Sequence, residues 1–235
     1  SAANAFGDFA GEDTAKLSQL LVEATPEQFA VLYPLVASHP ASSTVQALSD
    51  IAATLPPEDL DSIDRVAYAQ RRANAAVTLL RLGERESVLP VFKLTDDPEA
   101  LTQFLFRCRP RDVGVQPLLD CLELVSKAPQ DRYPKDSLYA LLLAIGEFSL
   151  SELPAARRER LLKQLAEWYR HDPRSGVHGA AGWLLRHWGQ AEVVQEVDQT
   201  PVPYAPDREW FTQAITVTPK TSSGAKQPDP KTFYY

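Results

Sequence analysis

Three stretches of this chain end alike. "AVTLLRLGE" (76–84), "ALLLAIGEF" (140–148) and "AGWLLRHWGQ" (181–190) each run through apolar residues at helical spacing. Each then reaches a glycine followed by Glu or Gln: Gly83, Gly146 and Gly189. A glycine after a helix takes up the left-handed backbone that stops it. A second amphipathic stretch follows every time, "SVLPVF", "LPAARRERLLKQLAEWY" and "AEVVQEV". Helix, glycine stop, helix, repeated, is the grammar of an α-solenoid, in which stacked pairs bury each other's apolar stripes.

The pattern within the stretches agrees. In "AYAQRRANAAVTLLRLG" the residues Ala69, Ala73, Ala76, Val77 and Leu80 fall on one face of a 3.6-residue period. The small side chains there predict a closely approaching neighbour. A further helix pair, "DPEALTQFLFRC" and "VQPLLDCLELV", lies between the first two glycine stops. "DDPEA" and "HDPRSG" predict helix starts, with Asp as N-cap and Pro in the first turn. Strand signals are scarce. The fold class expected is all-α, a HEAT/armadillo-like α-solenoid with an irregular Pro-rich C-terminal tail. A helical-repeat domain is expected over 1–197, with acidic N-terminal helices in 1–64 and helix pairs in 65–197. Residues 198–235 read as a linker or tail leading toward a following domain. Its aromatics Tyr204, Trp210, Phe211 and Phe233 predict that part of it packs back on the helices, and "FTQAITVT" and "TFYY" suit short β segments.

Charge is unevenly spread over the net −7. Residues 1–64 hold one Lys against ten acidic groups, and residues 65–175 hold 18 basic and 15 acidic ones. Phosphate recognition needs a positive surface, so no nucleic-acid partner is expected. No apolar run is long enough to span a bilayer. The chain has no Met, which predicts a piece of a longer product. Two cysteines, Cys108 and Cys121, make neither a disulfide framework nor a zinc site alone and are expected as buried thiols.

No phosphate loop, nucleophile elbow or zinc-binding helix motif is present, and no catalytic residue, metal or cofactor is expected. His171, His178 and His187 are spaced by seven and nine, not the four that puts two ligands on one helix face. Trp183 and Trp188 suit packing between helices better than a ligand platform. "RCRPRD" (107–112) reads as a helix C-terminus with favourable cations and a Pro stop. Its arginines Arg107, Arg109 and Arg111 are also suited to an anionic partner. They, with Trp183, Arg186 and Trp210, are the candidate partner-binding residues.

"RRANAAVTLLRLGE", "LLLAIGEF" and "HDPRSGVHGAAGWLLRHWGQ", followed by "DREWF", resemble the helical, HEAT-like region of large bacterial multidomain proteins. The likeness covers about 65–215 and is most specific over 171–190. Gly179 stands where Ala is common, and about 20 extra residues follow "REWF". In that family the region often follows a serine/threonine protein kinase domain and precedes a formylglycine-generating-enzyme-like (sulfatase-modifying-factor) domain. The resemblance implies a non-catalytic scaffold or protein-interaction module, with the flanking domains or another protein as partner. It implies no activity of this segment. The alternative is an enzyme or ligand-binding protein on a HEAT-like scaffold, bilin-lyase-like or DNA-glycosylase-like, with Trp183, Trp188 and Arg186 lining its pocket.

Overall fold

In the computed structural model, residues 14–38, 42–95, 97–129, 131–212, 215–216 and 232–233 are described. Eleven α-helices follow one another among them: α1 Thr14–Glu23, α2 Pro26–Ala37, α3 Ser42–Ala53, α4 Ser62–Leu82, the single turn α5 Arg85–Val88, α6 Glu99–Cys108, α7 Val115–Lys127, α8 Ser137–Gly146, α9 Ala155–His171, α10 Ser175–His187 and α11 Ala191–Asp198. Short 3₁₀ turns occupy Leu89–Phe92, Arg109–Arg111 and Leu150–Glu152. One antiparallel pair of two-residue segments, β1 Ile215–Thr216 and β2 Thr232–Phe233, falls in the two tail stretches suited to β structure. Tail residues 213–214, 217–231 and 234–235 lie outside the described residues. The fold is all-α, in two compact units, Ser1–Pro154 and Ala155–Tyr235.

The first unit is organised around α4. One buried face is expected from its periodicity, yet every residue from Arg72 to Leu80 is buried. The helices α1, α3 and α6 all pack on it, and Ala69, Ala73, Ala75 and Ala76 keep its surface low enough for them to approach. Polar residues on the additional buried sides meet the open carbonyl ends of those neighbours. Arg72 donates from Nε and Nη2 to the Ala52 carbonyl, at 3.1 Å each, closing the end of α3. Asn74 Nδ2 donates to the Val22 carbonyl at 2.8 Å, at the end of α1. From beyond α6, Arg111 Nη2 donates to the Ala24 carbonyl at 2.8 Å. The last carbonyls of a helix have no partner within it, and burying them bare is costly. A cation at that end also faces the negative pole of the helix. Arg81 lies over the Tyr33 ring at 3.8 Å and donates to the Arg111 carbonyl at 2.9 Å, tying α2 to the same core.

Two of the three glycine stops take the expected left-handed form, Gly83 at φ +87° and Gly189 at φ +74°. Gly146 does not. It is the last residue of α8, Glu147 continues in right-handed backbone, and the turn closes through Phe148 N–H to the Ile145 carbonyl at 3.1 Å. The Asp-Pro pairs also act earlier than expected, because the N-cap positions fall to Pro98 and Arg174. Asp97 Oδ1 accepts from the Glu99 N–H at 2.9 Å and Asp172 Oδ1 from the Arg174 N–H at 3.0 Å, so both pairs form the turn ahead of the helix. The "RCRPRD" helix ends at Cys108, and Pro110 sits inside the 3₁₀ turn that follows, which closes at Asp112 in left-handed backbone at φ +60°. Helix α4 runs unbroken through the 64/65 division drawn from charge, because Asp61 caps it with bonds of 2.9 Å from the Ile63 and Asp64 N–H groups.

In the second unit α9 and α10 pack as a hairpin joined by 172–174, and α11 packs on both. Gly182 of α10 sits against the Tyr169 ring of α9. A Cβ placed there would lie 2.5 Å from Tyr169 Cε2, while one at Gly179 would meet nothing within 4 Å. Gly182→Ala is therefore expected to destabilise by about 1–3 kcal/mol through overpacking. Gly179→Ala should stabilise by up to about 1 kcal/mol, because Ala favours a helix interior over Gly. Thermal melts followed by circular dichroism should move in opposite directions for the two variants.

Candidate functional site

Between α1, α4 and α6 the first unit has a groove of about 640 Å³. Its walls carry Glu23, Thr25, Gln70, Arg71, Asn74, Phe106, Arg107 and Arg111. Small-molecule and cofactor pockets typically measure about 300–1,000 Å³. Helix periodicity places Gln70 and Asn74 on one stripe of α4. The end of α6 and the 3₁₀ turn after it supply Phe106, Arg107 and Arg111.

The polar groups of this groove are incompletely partnered. Arg107 donates from Nη1 to the Gln103 side chain and, at 3.5 Å, to the Gln103 carbonyl. Among the described residues the Arg111 side chain makes one hydrogen bond, from Nη2 to the Ala24 carbonyl. Among the described residues, the Nε atoms of both arginines and Oδ1 of Asn74 are buried away from water with no hydrogen-bond partner. Asn74 is 3% exposed and Arg111 5%. A buried unsatisfied group costs about 1–3 kcal/mol, so three lining one groove is a concentrated cost. Burial pushes the Arg111 guanidinium down to about 10, and the nearby Arg107 cation adds to the shift. Burial lowers Arg107 too. Arg71 is better served, with Gln19 Oε1 at 2.7 Å and Glu23 at 3.7 Å. Phe106 stands 68% exposed beside these cations.

Of the three arginines singled out in "RCRPRD", the structure thus brings together Arg107 and Arg111. Arg109 points elsewhere. It donates from Nε to the Glu147 carbonyl at 2.7 Å, pairs with Glu152 at 2.8 Å and covers the Phe148 ring. The thiol between them is no nucleophile, since Cys108 is 1% exposed and burial pushes its pKa far up. Burial likewise raises Cys121 to about 12.

Arg186, Trp183 and Trp210 belong to the second unit, where an aromatic stack dominates. The His178 ring lies between Tyr169, at 4.5 Å, and Trp210, at 3.7 Å. Its Nδ1 bonds the Tyr169 carbonyl at 2.7 Å, which makes Nδ1 the protonated nitrogen. Trp210 Nε1 donates to the Asp172 carbonyl at 2.7 Å. Next to it Glu209 accepts from the Ser175 N–H at 2.9 Å, capping α10. The tail through Thr212 therefore packs back on the α9–α10 turn. "HDPRSGVHG" and "DREWF", 38 residues apart, form one joint. Arg186 is committed inside it, to Tyr169 Oη at 3.2 Å and Asp198 at 3.8 Å. Trp188 is buried, while Trp183 is 40% exposed and stacks on His187. His171 lies apart, 3.8 Å from Glu167. Among the described residues no three metal-ligating side chains gather, and no described helix is long and apolar enough to cross a membrane.

Asn74 and Phe106 escaped the sequence reading. Asn74 carried a signal, a lone amide within an alanine-rich helix face. Phe106 carried none, because an aromatic beside Leu105 in an amphipathic helix reads as core. No family model, curated protein or solved structure matches the chain.

Burial lowers the His178 pKa, against the opposing pull of its bond to the Tyr169 carbonyl. The unfolded chain therefore binds the proton more tightly, and the second unit should lose stability as pH falls from about 6.5 through the folded value. Trp210→Ala uncovers one face of the ring. In an NMR titration its His178 pKa should rise toward the ordinary imidazole value. Ellman's reagent should leave both cysteines of the native chain unreacted and modify both after denaturation.

Proposed function

We propose that this chain is a non-catalytic helical scaffold or protein-interaction module of a larger bacterial multidomain protein. The observation that carries the reading is the groove of the first unit, where the exposed Phe106 stands beside Arg71, Arg107 and Arg111. Aromatic side chains and arginines are enriched where proteins meet. The helical packing supports the same reading, because rigid packed helices hold a surface in fixed shape. The HEAT-like stacking and the neighbourhood of kinase-like or formylglycine-generating-enzyme-like domains are proposed on the resemblance of 171–190 and "DREWF". The joint between those two stretches gives the resemblance a physical sense, since Trp210 and Glu209 hold the turn at Asp172–Ser175 in place.

Zero-length crosslinking of the full-length parent protein, read by mass spectrometry, tests the proposal. Crosslinks from the helices to a flanking domain or to a second protein are expected. Crosslinks confined to this chain itself would contradict it.

A further inference from the structure

The first turns of α4 stand out from the unit. From Asp61 to Ala67 every residue except Arg65 is exposed, while from Arg72 to Leu80 the helix is buried. Ile63 is the most exposed large apolar side chain among the described residues, at 79%, and Val66 is exposed one turn on. With Ala67 these residues fall at i, i+3 and i+4, on one face of the helix. Ile63 and Val66 lie outside the groove, but Ala67 lines it together with Phe106. An apolar stripe therefore runs from the start of α4 to the mouth of the groove.

The charges along this face change sign. Its start carries Asp61 and the exposed Asp64. The charged residues lining the groove are Arg71, Arg107 and Arg111 against Glu23. Asp64 and Arg71 are seven residues apart, about two turns, so they lie on the same side of the helix. Arg71 bonds Gln19 and lies 3.7 Å from Glu23, yet its side chain keeps 43% of its surface open. A face with an acidic and a basic end on either side of an apolar centre is complementary to itself. Turned about a two-fold axis, a second copy brings its basic end to the acidic end of the first. The midpoint between Asp64 and Arg71 falls beside Ala67, where the smallest side chain of the stripe lets two helices approach. A partner carrying one sign of charge matches one end of this face, and a second copy matches both.

We infer that this face binds a second copy of the chain, the start of one α4 lying antiparallel on that of the other about a two-fold axis at Ala67. Asp64 of each copy meets Arg71 of the other, and Ile63, Val66 and Ala67 of each copy cover those of the other beside Phe106. A contact built from these few side chains is smaller than the roughly 20–30 residues a side of a stable complex, so the dimer is weak. The inference rests on the reading of the chain as an interaction module and names a second copy as the partner of this face.

Sedimentation equilibrium of the full chain tests it. A reversible monomer–dimer equilibrium is expected, with a dissociation constant below about 1 mM. Ile63→Ser should weaken association by about tenfold or more, because each copy loses a buried apolar side chain. It should leave the melting temperature of the monomer unchanged, since Ile63 is exposed there. Asp64→Lys and Arg71→Glu should each weaken association by about tenfold or more, because like charges then face each other twice. Mixing these two variants should restore it, because in the mixed dimer both facing positions again carry opposite charges. Three results would overturn the assignment: a chain that stays monomeric up to about 1 mM, Ile63→Ser associating as tightly as the parent, or two folded charge variants that stay monomeric when mixed. If Arg71→Glu fails to fold beside Glu23, Ile63→Ser decides. Sedimentation reads the dimer without crosslinks, so the two tests fail independently. If the chain is monomeric while the parent protein still crosslinks to a flanking domain or another protein, the two-fold assignment falls and the module stands.

Discussion

A helix surrounded on every side has no water to solvate anything it carries. From Arg72 to Leu80, α4 is in that position. Three consequences follow. Its side chains must be small where neighbours cross, and Ala73, Ala75 and Ala76 are. Its polar side chains must find fixed partners, and Arg72 and Asn74 find them at the carbonyl ends of α3 and α1. The neighbouring helices must end where those side chains can reach. Sequence, helix length and packing are coupled through these few bonds, so removing one of these side chains leaves a bare buried carbonyl.

The groove is a product of the same coupling. Asn74 and Arg111 are anchored by one atom each to the carbonyls Val22 and Ala24, only two residues apart. The anchoring that closes the end of α1 holds the remaining atoms of both side chains at the groove, where Arg107 joins them. The side chains lining the groove are therefore held in fixed positions by the fold. In the second unit a comparable economy fixes the tail. One turn, Asp172 to Ser175, presents a carbonyl to Trp210 and an N–H to Glu209, and the His178 ring fills the space between Tyr169 and Trp210.

The helices were readable in the sequence because apolar periodicity is a local property. The left-handed stops at Gly83 and Gly189 were readable for the same reason. Gly146 shows the limit, since a helix can also end by tightening into right-handed turns that any residue adopts. The all-round burial of α4 was hidden, because periodicity reports the strongest apolar face and is blind to Arg72 and Asn74 going inward with partners distant in sequence. Of the candidate site, the charge of Arg107 and Arg111 was legible. Their separation from Arg109 was not, because it depends on a 3₁₀ turn that directs successive arginines to different neighbours. Trp210 was visible as an aromatic out of place in a polar tail, but not its seat on His178.

Native-state hydrogen exchange tests most directly whether α4 is the element on which the first unit depends. The account predicts that the amides of residues 72–80 are the slowest in the unit Ser1–Pro154 and exchange only when that whole unit unfolds, with a denaturant dependence to match. Exchange of those amides through small local openings, as fast as in the outer helices α2 or α7, would contradict it.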